Sequence, residues 1–201
     1  MTESETRDQA GRLLVTAARS FSDPGGDLLT SVLAGFLSMV RDLPASERHH
    51  HSWPFGLVEH SLEVALGALA IISTAAYRSD PVARLVAPTL TVALLHDLGK
   101  LFDVDPTHYT WRRGRGFLGQ PGQAELILTL TPGEWVTPVK AIAARYDGRF
   151  RRPHLPEEPP LDFLADAIAR ADGRSAWRGR IQHPEHGTYL RQLISSPEVA
   201  A

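Results

Sequence analysis

The stretch "ASERHHHSWPFGLVEHSLEVA", residues 45–65, places His49, His50 and His51 in a polar loop and His60 nine residues further on, inside an apolar helical pattern. The chain has 9 histidines, so nearly half of them stand in this one segment. Imidazoles this close together point either to metal ligation or to proton and phosphate chemistry, because a neutral ring is both a ligand and a proton acceptor. A second constellation is "LLHDLGK", residues 94–100, where His96 and Asp97 are adjacent. On a regular helix neighbouring side chains diverge by more than a quarter turn. The two converge on one ion only where the backbone leaves helical geometry, and Gly99 offers such a place. A histidine favoured by a helix C-terminal dipole is the simpler alternative.

There are no cysteines, so a metal here must be held by imidazole and carboxylate. That favours a hydrolytic or Lewis-acid ion over structural zinc. At 201 residues and 43% hydrophobic content the chain can bury one sizeable core. The start, MTESETRDQAGR, lacks a signal-peptide layout, and the longest apolar runs are interrupted by Glu, His or Arg. The expectation is a soluble, cytoplasmic protein without membrane insertion. Net charge is −2, which decides nothing about nucleic acid by itself. Residues 112–180 nevertheless carry 11 Arg and one Lys against eight acids, which makes this the anion-facing part. Arginine suits bidentate phosphate contacts, although a GC-rich coding sequence produces the same bias.

The elements that must position these residues read as helices almost throughout. Apolar spacing of i, i+3, i+4 marks helices at 9–21 and 27–43, separated by Asp23-Pro24-Gly25-Gly26. Residues 55–78 form a long helix that is apolar on more than one face and therefore central. The next spans 82–100, with Pro88 kinking or dividing it. Residues 101–122 lose periodicity and suggest an irregular loop or short hairpin. Helices resume at 123–130 and 133–147, a Pro-rich loop covers 148–160, and helices at 161–176 and 186–196 close the chain. The fold class is all-α. Residues 1–44 are N-terminal helices packing on the core, 45–180 the metal-bearing part and 181–201 a C-terminal helix, forming one globular unit.

A first histidine in "GLVEHSLEVA", the doublet in "HDLGK" and a late "ARADGRSA" together resemble the HD superfamily of helical metal-dependent phosphohydrolases. The resemblance implies a single helical bundle with a metal site between helices and the ligand set His60, His96, Asp97 and Asp172. Asp166 is the rival for the last place. Two imidazoles and two carboxylates suit Mn²⁺, Fe²⁺, Mg²⁺, Co²⁺ or Zn²⁺ better than calcium. The stretch "LPASERHHHSWPFGLVEHSLEVAL" further resembles the N-terminal HD domain of TraI-like relaxases of the MobH class, marked by a histidine triplet before the first HD ligand. The loop with Asp103, Trp111 and the Arg/Gly run is similar to the same branch. Full relaxases of this branch are longer, which implies a fragment or a stand-alone relative.

The triplet His49, His50, His51 and Lys100 are the candidate catalytic residues. Arg112, Arg113 and Arg115 are candidates for holding substrate phosphate, and Tyr109 is read as a packing residue rather than a nucleophile. Two-metal HD enzymes carry further histidines where this chain has "AIAARYDGRF" with Tyr146. One divalent ion is therefore favoured; a second would need ligands from His49 to His51, His108 or His154. The expected function is a metal-dependent phosphodiesterase or nuclease acting on DNA in conjugative transfer or mobile-element processing, with conjugation-machinery proteins as partners. An HD phosphohydrolase of small nucleotides and a non-catalytic DNA- or partner-binding HD module are the alternatives.

Overall fold

The computed structural model describes the backbone of residues 2–22, 24–40, 42–102, 104–105, 110–111, 120–151, 158–181 and 188–196, and the side chains of 2–22, 24–40, 42–102, 125–147, 158–179 and 188–196. The first helix, α1 (Glu3–Phe21), starts six residues before the apolar periodicity does. Its start is set by a capping box, in which Thr2 Oγ1 accepts from the Glu5 N–H and the Glu5 carboxylate accepts from the Thr2 N–H. Helix α2 (Gly25–Val40) follows across the Pro-Gly-Gly break and packs on α1.

Helix α3 (Gly56–Ala76) lies at the centre, with Leu57, Leu62, Leu66, Leu69 and Ile72 at most 1% exposed. Burying each such side chain contributes roughly 1.5–3 kcal/mol. Among the described residues it is the one helix long and apolar enough to cross a bilayer, and 78% of its apolar window is buried inside the fold. Its hydrophobicity is that of a core element.

The helix expected over 82–100 is divided, but not at Pro88. A single turn, α4 (Asp80–Ala83), is followed by α5 (Val86–Leu95), in which every residue is buried. Pro88 sits in the first turn of α5, where a missing N–H costs no helical hydrogen bond. The α geometry then ends at Leu95, and His96 and Asp97 form a turn before a 3₁₀ segment, Leu98–Phe102. The departure from the helix comes three residues ahead of Gly99.

Beyond it, β1 (Val104–Asp105) pairs antiparallel with β2 (Thr110–Trp111), a short ribbon where a hairpin was one of the two expectations. Helix α6 (Gln120–Thr129) and a 3₁₀ turn at Gly133–Trp135 lead to α7 (Val136–Arg151). The backbone of α7 continues into the segment expected to be Pro-rich loop. Helix α8 (Pro159–Ile181) is longer than the 161–176 expected, with two prolines in its first turn, where their fixed φ suits helix initiation. It lies along α3, close enough that a Cβ on Gly67 would stand 3.1 Å from the Ala171 Cβ. Helix α9 (Thr188–Ile194) packs on α1 and α3. The all-α class holds, and one apolar cluster runs from Ala10 in α1 to Ile194 in α9.

Candidate metal centre

The histidine loop is built before the site can be. Ser46 Oγ accepts from the His49 and His50 N–H groups at 3.0 Å each and donates to the His50 carbonyl at 2.6 Å. The Ala45 N–H closes on the His51 carbonyl at 2.9 Å. His51 and Phe55 take left-handed backbone conformations, with φ of 49° and 64°. That strain is tolerated because both flanks are fixed. The Trp53 indole donates to Glu59 Oε2 at 2.8 Å, Arg7 pairs with Glu59 Oε1 at 3.0 Å, and the Arg7 guanidinium stacks 4.4 Å from the Phe55 ring centroid. Gly56 admits the loop, since a Cβ there would lie 2.0 Å from the His51 carbonyl oxygen.

Three elements then bring the four expected ligand residues together: α3 carries His60, the turn after α5 carries His96 and Asp97, and α8 carries Asp172. His60 Nε2 lies 3.3 Å from Asp97 Oδ2 and 3.4 Å from Asp172 Oδ1. His96 Nε2 lies 3.6 and 3.8 Å from the same two oxygens. Ligand atoms held at 2.0–2.2 Å around a tetrahedral ion stand roughly 3.3–3.6 Å apart. Both Nε2 atoms are buried and lack a hydrogen-bond partner, so the carboxylates are near enough to attract them yet not aligned to accept from them. His60, His96 and Asp97 thus form a group able to hold a metal ion, and His50, His51 and His60 form another.

The Nδ1 atoms of His60 and His96 both have partners. His96 Nδ1 donates to the Ala93 carbonyl at 2.8 Å. His60 Nδ1 meets Ser175 Oγ at 2.9 Å, and Ser175 in turn donates to Glu63 Oε2 at 2.6 Å. His51 Nε2 lies 3.0 Å from the same Glu63 oxygen. Glu63 Oε2 accepts the Ser175 proton, so Ser175 Oγ accepts from the His60 Nδ1–H, and His60 Nε2 faces Asp97 and Asp172, as a second N–H in the metal-free ring and as a lone pair once an ion displaces that proton. This arrangement of outer partners orients metal-binding imidazoles.

The charges are consistent with a cation-seeking pocket. Burial lowers the His60 pKa, but the Asp172 and Asp97 carboxylates raise it more, leaving it at about 9. Burial raises Asp97, yet Lys100, His96 and His60 together hold it well below the carboxylate range. Asp172 is likewise pushed up by burial and brought down to about 2 by His60 and His96. His50 is pushed down to about 3 by burial and by the His60 and Lys100 charges, so it stays neutral. A proton on His60 thus supplies the positive charge that the two carboxylates demand.

Of the other residues singled out, Lys100 pairs with Asp97 Oδ2 at the edge of the centre. His49 is exposed, whereas the His50 and His51 rings pack tilted against His60, with centroids 4.9 and 5.2 Å from it. Asp166, about a third of a turn round α8 from Asp172, pairs with Arg170 instead. Asp103, His108, Tyr109, Arg112, Arg113, Arg115 and His154 lie outside the described residues. Sequence reasoning missed Glu63 and Ser175, although a second acid four residues after Glu59 in an apolar helix was a usable signal, because buried carboxylates must be paired. Tyr146, noted only for not being histidine, donates its hydroxyl to Asp172 Oδ2 at 3.0 Å and sets its ring edge against His96. Burial and the Asp172 charge raise its pKa far above the usual value, so it remains a donor.

No curated protein and no solved structure matches the chain significantly. One family model, TraI_2, described as "Putative helicase", matches residues 12–125. That span holds the histidine triplet, His60, the His96-Asp97 turn and Lys100, while Asp172 and Ser175 follow it. With more than half of its 201 residues matched, the chain belongs to the TraI_2 family.

Proposed function

We propose that the chain is a metal-dependent HD-type phosphohydrolase that acts on DNA phosphodiesters in conjugative transfer or mobile-element processing, in the manner of a relaxase. The carrying observation is the convergence of His60 Nε2, His96 Nε2, Asp97 Oδ2 and Asp172 Oδ1 at ligand-like separations, with both nitrogens buried and unpartnered. Membership of the TraI_2 family supports the conjugative setting and DNA as ligand.

In this reading His60, His96, Asp97 and Asp172 hold one divalent ion, whose chemistry when bound is to acidify water and neutralise phosphoryl charge. Tyr146 orients the Asp172 carboxylate through its hydroxyl. Ser175 and Glu63 keep the His60 lone pair directed at the carboxylates. His50, kept uncharged by burial and the neighbouring positive charges, lies beside the centre with its ring centroid 4.9 Å from that of His60. Lys100, paired with Asp97, offers its ammonium to a substrate oxygen, and Arg112, Arg113 and Arg115 contact the strand's phosphates.

Metal analysis of the purified chain and of His96→Ala tests the centre. The expected result is about one transition ion per chain for the native protein and little for the variant; equal content would refute it. Nicking of single-stranded and supercoiled DNA with Mn²⁺ tests the substrate. Phosphate release from free nucleotides without nicking would reassign the substrate to small nucleotides. DNA binding that persists in EDTA without turnover would make the chain a binding module.

A further inference from the structure

The outer face of α8 carries side chains that the fold does not use. Positions three and four apart share one face of a helix, and on this face the neighbours are Arg170, Gly173, Arg174 and Trp177, whose indole is 59% exposed. Arg178, four residues after Arg174, extends the row; its guanidinium lies 5.0 Å from the Tyr189 ring centroid and donates to Gln192 Oε1 at 3.4 Å. Burial and the Glu63 charge raise the Tyr189 pKa, and the Arg178 and Arg174 charges oppose the rise, so both guanidinium groups stand near that ring. Arg170 pairs with Asp166, whereas exposed Arg174 pairs with no acid among the described residues. Three arginines between residues 166 and 179 thus face Asp166 alone, since Asp172 is turned inward to His60. Like charges four residues apart and a mid-helix glycine both weaken a helix. Nothing lies within 4 Å of a Cβ built on Gly173, so no packing demands the glycine.

We infer that this face grips single-stranded DNA beside the metal-binding residues, with Trp177 as a stacking surface and Arg170, Arg174 and Arg178 as phosphate contacts. This rests on DNA being the ligand proposed above. A track of positive charge for the backbone and an aromatic ring open to a base are the two elements of single-strand binding. Duplex bases are already stacked on one another, so an indole on a convex helix offers them nothing. A protein partner takes up an exposed indole within an apolar surround. Here the described helical neighbours of Trp177 are Gly173 and Arg174, and the open space over Gly173 leaves room for a base to lie against the ring. Trp177 stands five residues beyond Asp172, about 7.5 Å along the helix axis and roughly 140° round it, so the strand is held next to the centre and not in it.

The test measures binding of labelled oligothymidylate and of a DNA duplex of the same length by fluorescence anisotropy at several salt concentrations, with no divalent ion added so that nothing is cleaved. Trp177→Ala is expected to weaken oligothymidylate roughly 5- to 100-fold and to leave the duplex within about twofold, with most of the loss restored by Trp177→Phe. Arg174→Ala should lower the steepness of the salt dependence by about 0.7 in the log–log plot. Gly173→Glu, which improves helix propensity and enters open space, should weaken oligothymidylate about tenfold by setting a carboxylate among the guanidinium groups, and it decides the matter should Trp177→Ala not fold. All the variants should keep the metal content and melting temperature of the native chain. Oligothymidylate affinity unchanged in Trp177→Ala and Gly173→Glu, or an equal loss of single strand and duplex in Trp177→Ala, would overturn the inference and leave DNA standing as the substrate. A native chain that binds neither single strand nor duplex would overturn both.

Discussion

Metal binding should release a proton from His60, and the pH dependence of affinity measures it. In the metal-free chain the buried His60 is held at about 9 against an ordinary value of 6.5, because Asp172 and Asp97 outweigh burial. A raised histidine pKa stabilises the fold fully below about 6.5, and that contribution is lost as pH rises through about 9. At 1.36 kcal/mol per unit the metal-free protein loses about 3 kcal/mol across this window. An ion must displace the same proton, so apparent affinity should improve close to tenfold per pH unit, or about 100-fold between pH 6.5 and 8.5. Asp97 and Asp172, already ionised, contribute no slope there. Mn²⁺ titrations at pH 6.5, 7.5 and 8.5 with correction for chelator protonation, and calorimetry in buffers of different ionisation enthalpy, read the slope and the proton count. An affinity that flattens above pH 7.5, with less than half a proton released per ion, would show that His60 is not charged between the carboxylates and would refute the electrostatic account.

Ser175→Ala removes the acceptor for His60 Nδ1 and a donor to Glu63, so it should cost about 1–3 kcal/mol in chemical denaturation and weaken metal binding about 10- to 100-fold. Gly56→Ala drives a methyl group into the His51 carbonyl and should cost about 1–3 kcal/mol while changing the near-ultraviolet signal of Trp53; an unchanged spectrum would contradict the loop packing described. Leu66→Ala, at the fully buried middle of α3, should lower stability by about 2–5 kcal/mol with metal content at saturating Mn²⁺ retained, which separates core from site.

Much of the fold was legible because local physics dictates it. The apolar periodicity of α2, the all-round apolarity of α3 and the Asp23 to Gly26 break follow from burial and backbone preference, which act on neighbouring residues. Element ends were less so: α1 starts at a capping box that apolar spacing does not report, and α5 begins two residues before Pro88 because a first-turn proline is harmless. The residue types and order of His60, His96, Asp97 and Asp172 were readable as a resemblance, since ligand chemistry restricts which side chains can serve.

What the chain order could not reveal is which faces meet. Glu63 and Ser175 are 112 positions apart and share a 2.6 Å hydrogen bond because α3 and α8 lie side by side. His51 differs from exposed His49 through a left-handed turn that carries it into the interior. The sequence by itself determined the helical class and the central element, which depend on periods of a few residues, and it offered the candidate ligand types through a resemblance. Tertiary packing alone decided the partners, the tautomers and the unpaired nitrogens, because burial and direction arise only when distant helices exclude water from a common space.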